Sequence, residues 1–201
     1  MKWILRSFSY FFHPLWMPLL AVSIYFAITP RFVAPDFWYA KIFATVIMTI
    51  IIPILSYFMF KNLGLVSEIH LKNVKERKYP LLFQMLFTLL ILNVVFEGYE
   101  LPEIHFFFVG VLGASLSAFI LVLFNFKASL HMVGLSGVLL FVIGLSIHFN
   151  YNLLWLLMSG ILVCGATATA RLEVKAHTPI ELLIGFIVGG LPQFLTYPYW
   201  L

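Results

Sequence analysis

A chain of 201 residues with a mean hydropathy of +1.04, only 10% charged residues and 22 phenylalanines cannot be a soluble domain, because a fold of this size has too little interior to hide so much apolar surface. Lipid must solvate much of it, and the net charge of +4 suits phosphates or anionic headgroups. The single cysteine, Cys164, excludes an intrachain disulfide and a cysteine-based metal centre.

A hydrocarbon core about 30 Å thick needs roughly 20 apolar residues per helical span. Long continuous apolar runs, rather than alternating ones, select helices over a closed barrel. They fall at about 9–29, 38–60, 80–98, 104–126, 132–149, 153–170 and 179–200. The sequence therefore predicts an all-α, polytopic membrane bundle of six to seven transmembrane helices, one domain over residues 1–201. The first run follows Lys2 and Arg6 and contains Pro14 and Pro18 but no small-residue cleavage site. It reads as an uncleaved first span rather than a signal peptide, and is the least regular of the seven.

The connections alternate in character. Those at 29–36, 97–103 and 148–152 are short and acidic or neutral. The N-terminus and the connections at 61–78, 126–131 and 171–178 are basic, and parity puts all four on one face. That face holds ten Lys and Arg against four Glu, and the other holds two against four acids. The positive-inside rule would place the basic face in the cytoplasm, but a phosphate site would gather the same residues. In the sixth and seventh runs, Gly160, Gly165, Ala166, Ala168, Gly185 and Gly189 are small residues that let backbones approach closely. Gly185 and Gly189 are expected to pack within the bundle rather than form a dimer interface. The oligomeric state is left open.

Three basic connections end at helix starts. "KERKYP" leads into the third run, with Pro80 expected at a first helical position. "KASLHM" leads into the fifth, with Ser129 as N-cap and His131 in the first turn. "KAHTPIE" leads into the seventh, with Thr178 as N-cap, Pro179 first and Glu181 third. Helix N-termini offer unpaired N–H groups and a positive dipole end, which suits an anion. His131 and His177 sit at two of these starts, where nearby cations disfavour imidazolium and keep a ring neutral. A neutral imidazole can attack phosphorus while a protonated one donates to the leaving oxygen. Glu181, four residues after His177, can hold that ring, cap the helix, or do both. Arg171 and Lys175 suit phosphate, but headgroup anchoring is the commoner role for such residues at span ends. His13, His70, His105 and His148 read as structural interface histidines, with His13 and His70 on the basic face.

These residues resemble the type-2 phosphatidic acid phosphatase and haloperoxidase superfamily. Its third motif, S-R-x-x-x-x-x-H-x-x-x-D, is matched in spacing by "ARLEVKAHTPIE", with Ala170 for serine and Glu181 for aspartate. Its second motif, P-S-G-H, keeps Ser129 and His131 in "ASLHM". Its first, K-x-x-x-x-x-x-R-P, aligns with Lys72 to Pro80, with Tyr79 where arginine is expected and Arg77 or Lys78 able to substitute. "FHPLWMP" near the start also looks like a group of small bacterial membrane proteins placed in this superfamily.

The resemblance implies a lipid phosphatase of a bacterial cytoplasmic membrane. His177 would be the nucleophile, Glu181 its orienter and His131 the general acid. Arg171, Lys72, Arg77, Lys78 and Ser129 would hold the phosphate. The substrate would be a phospholipid or polyprenyl phosphate drawn from membrane lipid, with no metal, no cofactor and no nucleic-acid partner. Most bacterial members work outside the cytoplasmic membrane, whereas the charge count points inward. The alternatives are a lipid phosphotransferase on the same scaffold and a non-catalytic lipid-binding or transport protein. A histidine-lined metal transporter is disfavoured, because Lys and Arg beside both histidines would repel a cation.

Overall fold

Residues 11–68, 71, 73–98 and 100–201 are described by a computed structural model. Lys72, expected to bind phosphate, lies outside the described residues, as do Lys2, Arg6 and His70. The described residues form seven helical segments and no strand. They are α1 (Pro14–Ile28), α2 (Pro35–Asn62), α3 (Val74–Val95), α4 (Pro102–Leu123), α5 (Leu130–His148), α6 (Leu154–Glu173) and α7 (Pro179–Tyr199). Six of them, α2 to α7, are long and apolar enough to cross a membrane, and the chain is a multi-pass membrane protein. The helix of the first run, α1, is shorter, 15 residues, and is tucked against the bundle. Its residues Met17, Ala21, Val22 and Tyr25 are buried at helical spacing.

Proline shapes several helices without ending them. Pro53 cannot donate to the carbonyl four residues back, and a π-turn at Ile47–Ile51 absorbs the defect in α2. Thr45 and Thr49 donate their hydroxyls to the carbonyls of Lys41 and Thr45 in the same stretch. Pro80 is not the first helical residue. A 3-10 turn, Val74–Arg77, capped by the Asn73 side chain, begins α3 earlier, and the regular helix starts at Lys78. Pro80 is tolerated there because N–H groups in a first turn have no intrahelical acceptor.

The core is α7 laid against α5 and α4, with α1 and α3 packed around them. A Cβ on Gly189 would overlap the Val133 carbonyl oxygen and the Ser136 hydroxyl, and one on Gly185 would stand 2.7 Å from the Ser129 carbonyl oxygen. The G-x-x-x-G spacing therefore serves contact inside the bundle. α6 packs chiefly on α5 and is the least covered span.

On the face away from the basic connections, Glu103 in the first turn of α4 is fully buried. The carboxylate accepts from Tyr25 Oη at 3.2 Å and pairs with Arg31 at 2.7 Å and His148 Nε2 at 3.1 Å. It thereby ties together α1, the connection after it, α4 and the end of α5. His148, read from sequence as structural, takes its place in this cluster.

Gly189→Ala is expected to cost about 3 kcal/mol, the upper end of overpacking penalties, because rigid backbone meets the new methyl. A fall in the melting temperature of detergent-solubilised protein would report it. Gly165→Ala, whose Cβ would meet nothing within 4 Å, is the control and should leave the melting temperature unchanged or raised.

Candidate functional site

Two helix ends and two helix starts converge on the basic face. α4 closes with Asn125 in the left-handed region (φ 57°), where Asn125 N–H donates to Val122 and Phe126 N–H to Leu121. α6 closes the same way with Lys175 (φ 51°), through Lys175 N–H to Leu172 and Ala176 N–H to Arg171. Both are Schellman turns, which satisfy terminal carbonyls and reverse the chain within a few residues. Asn tolerates this conformation by its side-chain chemistry, whereas Lys175 adopts it at a steric cost. These sharp reversals deliver the starts of α5 and α7 side by side. Ser129 N–H donates to the Glu181 carbonyl at 3.0 Å, and Lys127 Nζ to the Ala176 carbonyl at 3.2 Å.

At the start of α7, Thr178 is the N-cap. Its hydroxyl accepts from Glu181 N–H at 3.3 Å, and Glu181 Oε2 accepts from Thr178 N–H at 3.0 Å, a complete capping box. The same Oε2 lies 2.9 Å from His177 Nδ1. Glu181 thus caps the helix and holds the imidazole together. The extended Thr178 backbone brings the ring to the carboxylate although α7 begins only at Pro179. With a carboxylate at Nδ1, that nitrogen carries the proton and Nε2 keeps the lone pair.

His177 is 7% exposed. Burial pushes its pKa down to about 4. The hydrogen bond to Glu181 opposes that shift, while the charges of Arg77, Arg171 and Lys127 add to it. At neutral pH the ring is uncharged. An open cleft of about 420 Å³ lies against it, walled in part by Lys127, Leu172, Lys175, Thr178 and Glu181.

Two polar atoms behind this arrangement are buried without a hydrogen-bond partner, Ser129 Oγ and Arg171 Nε. Ser129 occupies the N-cap position of α5, but its side chain makes no cap bond. Arg77 is buried and engaged, donating through Nη1 to the Ala128 carbonyl at 2.9 Å and through Nε to the Leu71 carbonyl at 3.2 Å. It clamps the start of α3 to the segment before α5. Among the described residues, Lys78 makes no hydrogen bond or ion pair with this group. His131 stands in the first turn of α5, and its ring meets that of His13 edge to face at 5.5 Å.

The site residues expected from sequence are thus brought to one end of the bundle, with Lys72 outside the described residues and Lys78 unconnected. Lys127 was visible in the sequence only as one more basic residue, although its place just before Ser129 was a usable signal. Among the described residues, no group of three or more His, Cys, Asp or Glu side chains gathers as a metal centre would require. No family model, curated protein or solved structure matches the chain.

The depressed His177 pKa fixes a pH dependence. Between about pH 4 and 6.5 the unfolded chain binds a proton that the folded chain refuses, so stability is full above that window and is lost as pH falls through it. The slope is at most one proton, about 1.4 kcal/mol per pH unit. Melting temperatures recorded from pH 7 to 4 should fall less steeply in His177→Asn than in the wild type.

Proposed function

We propose that this protein is a membrane lipid phosphatase, hydrolysing a lipid phosphate or pyrophosphate monoester through a phosphohistidine. The observation that carries the proposal is the neutral His177 ring, held at Nδ1 by Glu181 on the wall of a basic cleft, with unpartnered Ser129 Oγ and Arg171 Nε buried nearby. Buried donors left without partners suit the oxygens of an anion.

In the first step His177 Nε2 attacks phosphorus. A P–N bond forms, the bond from phosphorus to the lipid oxygen breaks, and His131 gives its proton to that leaving oxygen. In the second, water attacks the phosphohistidine, its proton passes to His131, the P–N bond breaks and inorganic phosphate leaves. Arg171, Ser129 and Lys127 hold the phosphoryl oxygens, and charge developing on them is met by side-chain cations. Phosphatidic acid, phosphatidylglycerophosphate and polyprenyl pyrophosphate are the substrate candidates. A lipid or sugar hydroxyl in place of water would make the same steps a phosphotransfer. The resemblance to small bacterial members supports the cytoplasmic membrane of a bacterium as its location.

One observation favours a second reading, phosphate-headgroup binding without turnover. Arg77, the arginine nearest the expected first-motif position, spends two donors on backbone carbonyls. Tyr79 at that position offers no bidentate grip.

Purified protein in mixed micelles should release inorganic phosphate from phosphatidic acid or a polyprenyl pyrophosphate, at a rate unchanged by a metal chelator. His177→Ala should abolish release, and Glu181→Ala should lower it by about 10²-fold. Undiminished release from His177→Ala would sink the covalent mechanism. Binding of phosphatidic acid with no release by the wild type would select the second reading.

A further inference from the structure

The segment "FHPLWMP" has so far no task in the site, yet the fold carries it there. His13 caps a 3-10 turn, Pro14–Trp16, and its side chain accepts from the Leu15 N–H at 3.4 Å through Nδ1. Pro14 restricts the backbone at the first position of that turn and Pro18 restricts it just beyond. The turn then lies on α5. A Cβ on Gly134, three residues after His131, would come within 2.7 Å of Met17 Cγ and 3.6 Å of Pro14 Cα. This close approach puts the His13 ring against the His131 ring, centroids 5.5 Å apart and planes at 80°.

We propose that His13 is a positioning residue for His131, presenting a ring wall that sets the rotation of the His131 imidazole. The proposal rests on the role given to His131 as proton donor. A helix backbone fixes the direction of a Cα–Cβ bond but leaves two side-chain torsions free, and imidazole can deliver its proton only in one narrow range of them. The His13 ring, edge to face against the His131 ring, is a wall on that rotation. Its own ring is tied to the backbone at Leu15, and the turn that carries it is seated at Gly134. The two attachments have separate consequences. The acceptor nitrogen anchors His13, while the ring face or edge confines His131.

Two substitutions separate these parts. His13→Asn keeps an acceptor for the Leu15 N–H and removes the ring. His13→Phe keeps the ring and removes the acceptor. With phosphatidic acid in mixed micelles, His13→Asn is expected to lower kcat about 10-fold with KM within twofold of wild type, and His13→Phe to stay within threefold in both. In histidine-labelled protein, the His131 ring resonances should move in His13→Asn and broaden as the ring gains freedom, while His13→Phe leaves them sharp. The opposite pattern, a silent His13→Asn and a damaged His13→Phe, makes His13 a turn cap alone and overturns the proposal. Equal losses in both variants overturn it too, since a ring would then not suffice. If wild-type protein releases no phosphate, the phosphatase reading falls by itself, and the His131 resonances of the two variants still decide whether His13 positions that ring.

Discussion

Everything on the basic face depends on how closely the backbone of α7 approaches that of α5. Gly185 and Gly189 remove the side chains that would hold the helices apart, and the Ser129 N–H can then reach the Glu181 carbonyl. In lipid, where apolar surface gains nothing from leaving the solvent, such approach is driven by dispersion and by the polar bonds it permits. The contact also brings the start of α7, which carries His177 and Glu181, against the start of α5, which carries Ser129 and His131. A wider separation would leave the same residues on the same face without that bond between the two helix starts.

The carboxylate of Glu181 shows why capping and imidazole orientation need not compete. A capping box uses the carboxylate only to accept the N-cap N–H, and a carboxylate oxygen has room for a second donor. Oε2 takes both Thr178 N–H and His177 Nδ1. The helix end therefore rigidifies the ring, and the ring gains a fixed tautomer from a bond the helix would make anyway. Arg77 illustrates the reverse. A residue type suited to phosphate is committed to two carbonyls and holds α3 to the approach of α5.

Much of this was legible in the sequence, for identifiable reasons. Continuous apolar runs located the spans, since lipid demands length more than pattern. Parity then grouped the basic connections, and the spacing within 170–181 foretold the pairing of His177 with Glu181. Helix bounds were less legible around proline. Pro80 looks like a boundary, but an early 3-10 turn starts the helix before it. The left-handed turn at Lys175 had no signal, because lysine has none of the chemistry that marks Asn125 or Gly64 for that conformation. The meeting of His13 with His131 and the engagement of Arg77 with Ala128 join residues far apart in the chain, and only packing reveals them.

The Glu103 cluster bears on how the bundle is put together. A buried carboxylate in a spanning helix is costly until its partners arrive. Tyr25 and Arg31 precede α4 in the chain, so they are at hand when that helix is made, but His148 comes at the far end of α5. A chain inserted from its N-terminus holds Glu103 with two of its three partners until α5 has crossed. Completion of the cluster then coincides with the bundle gaining the helix on which α7 must lie. One helix, α5, thus completes the polar lock on one face through His148 and frames the start of α7 on the other through Ser129.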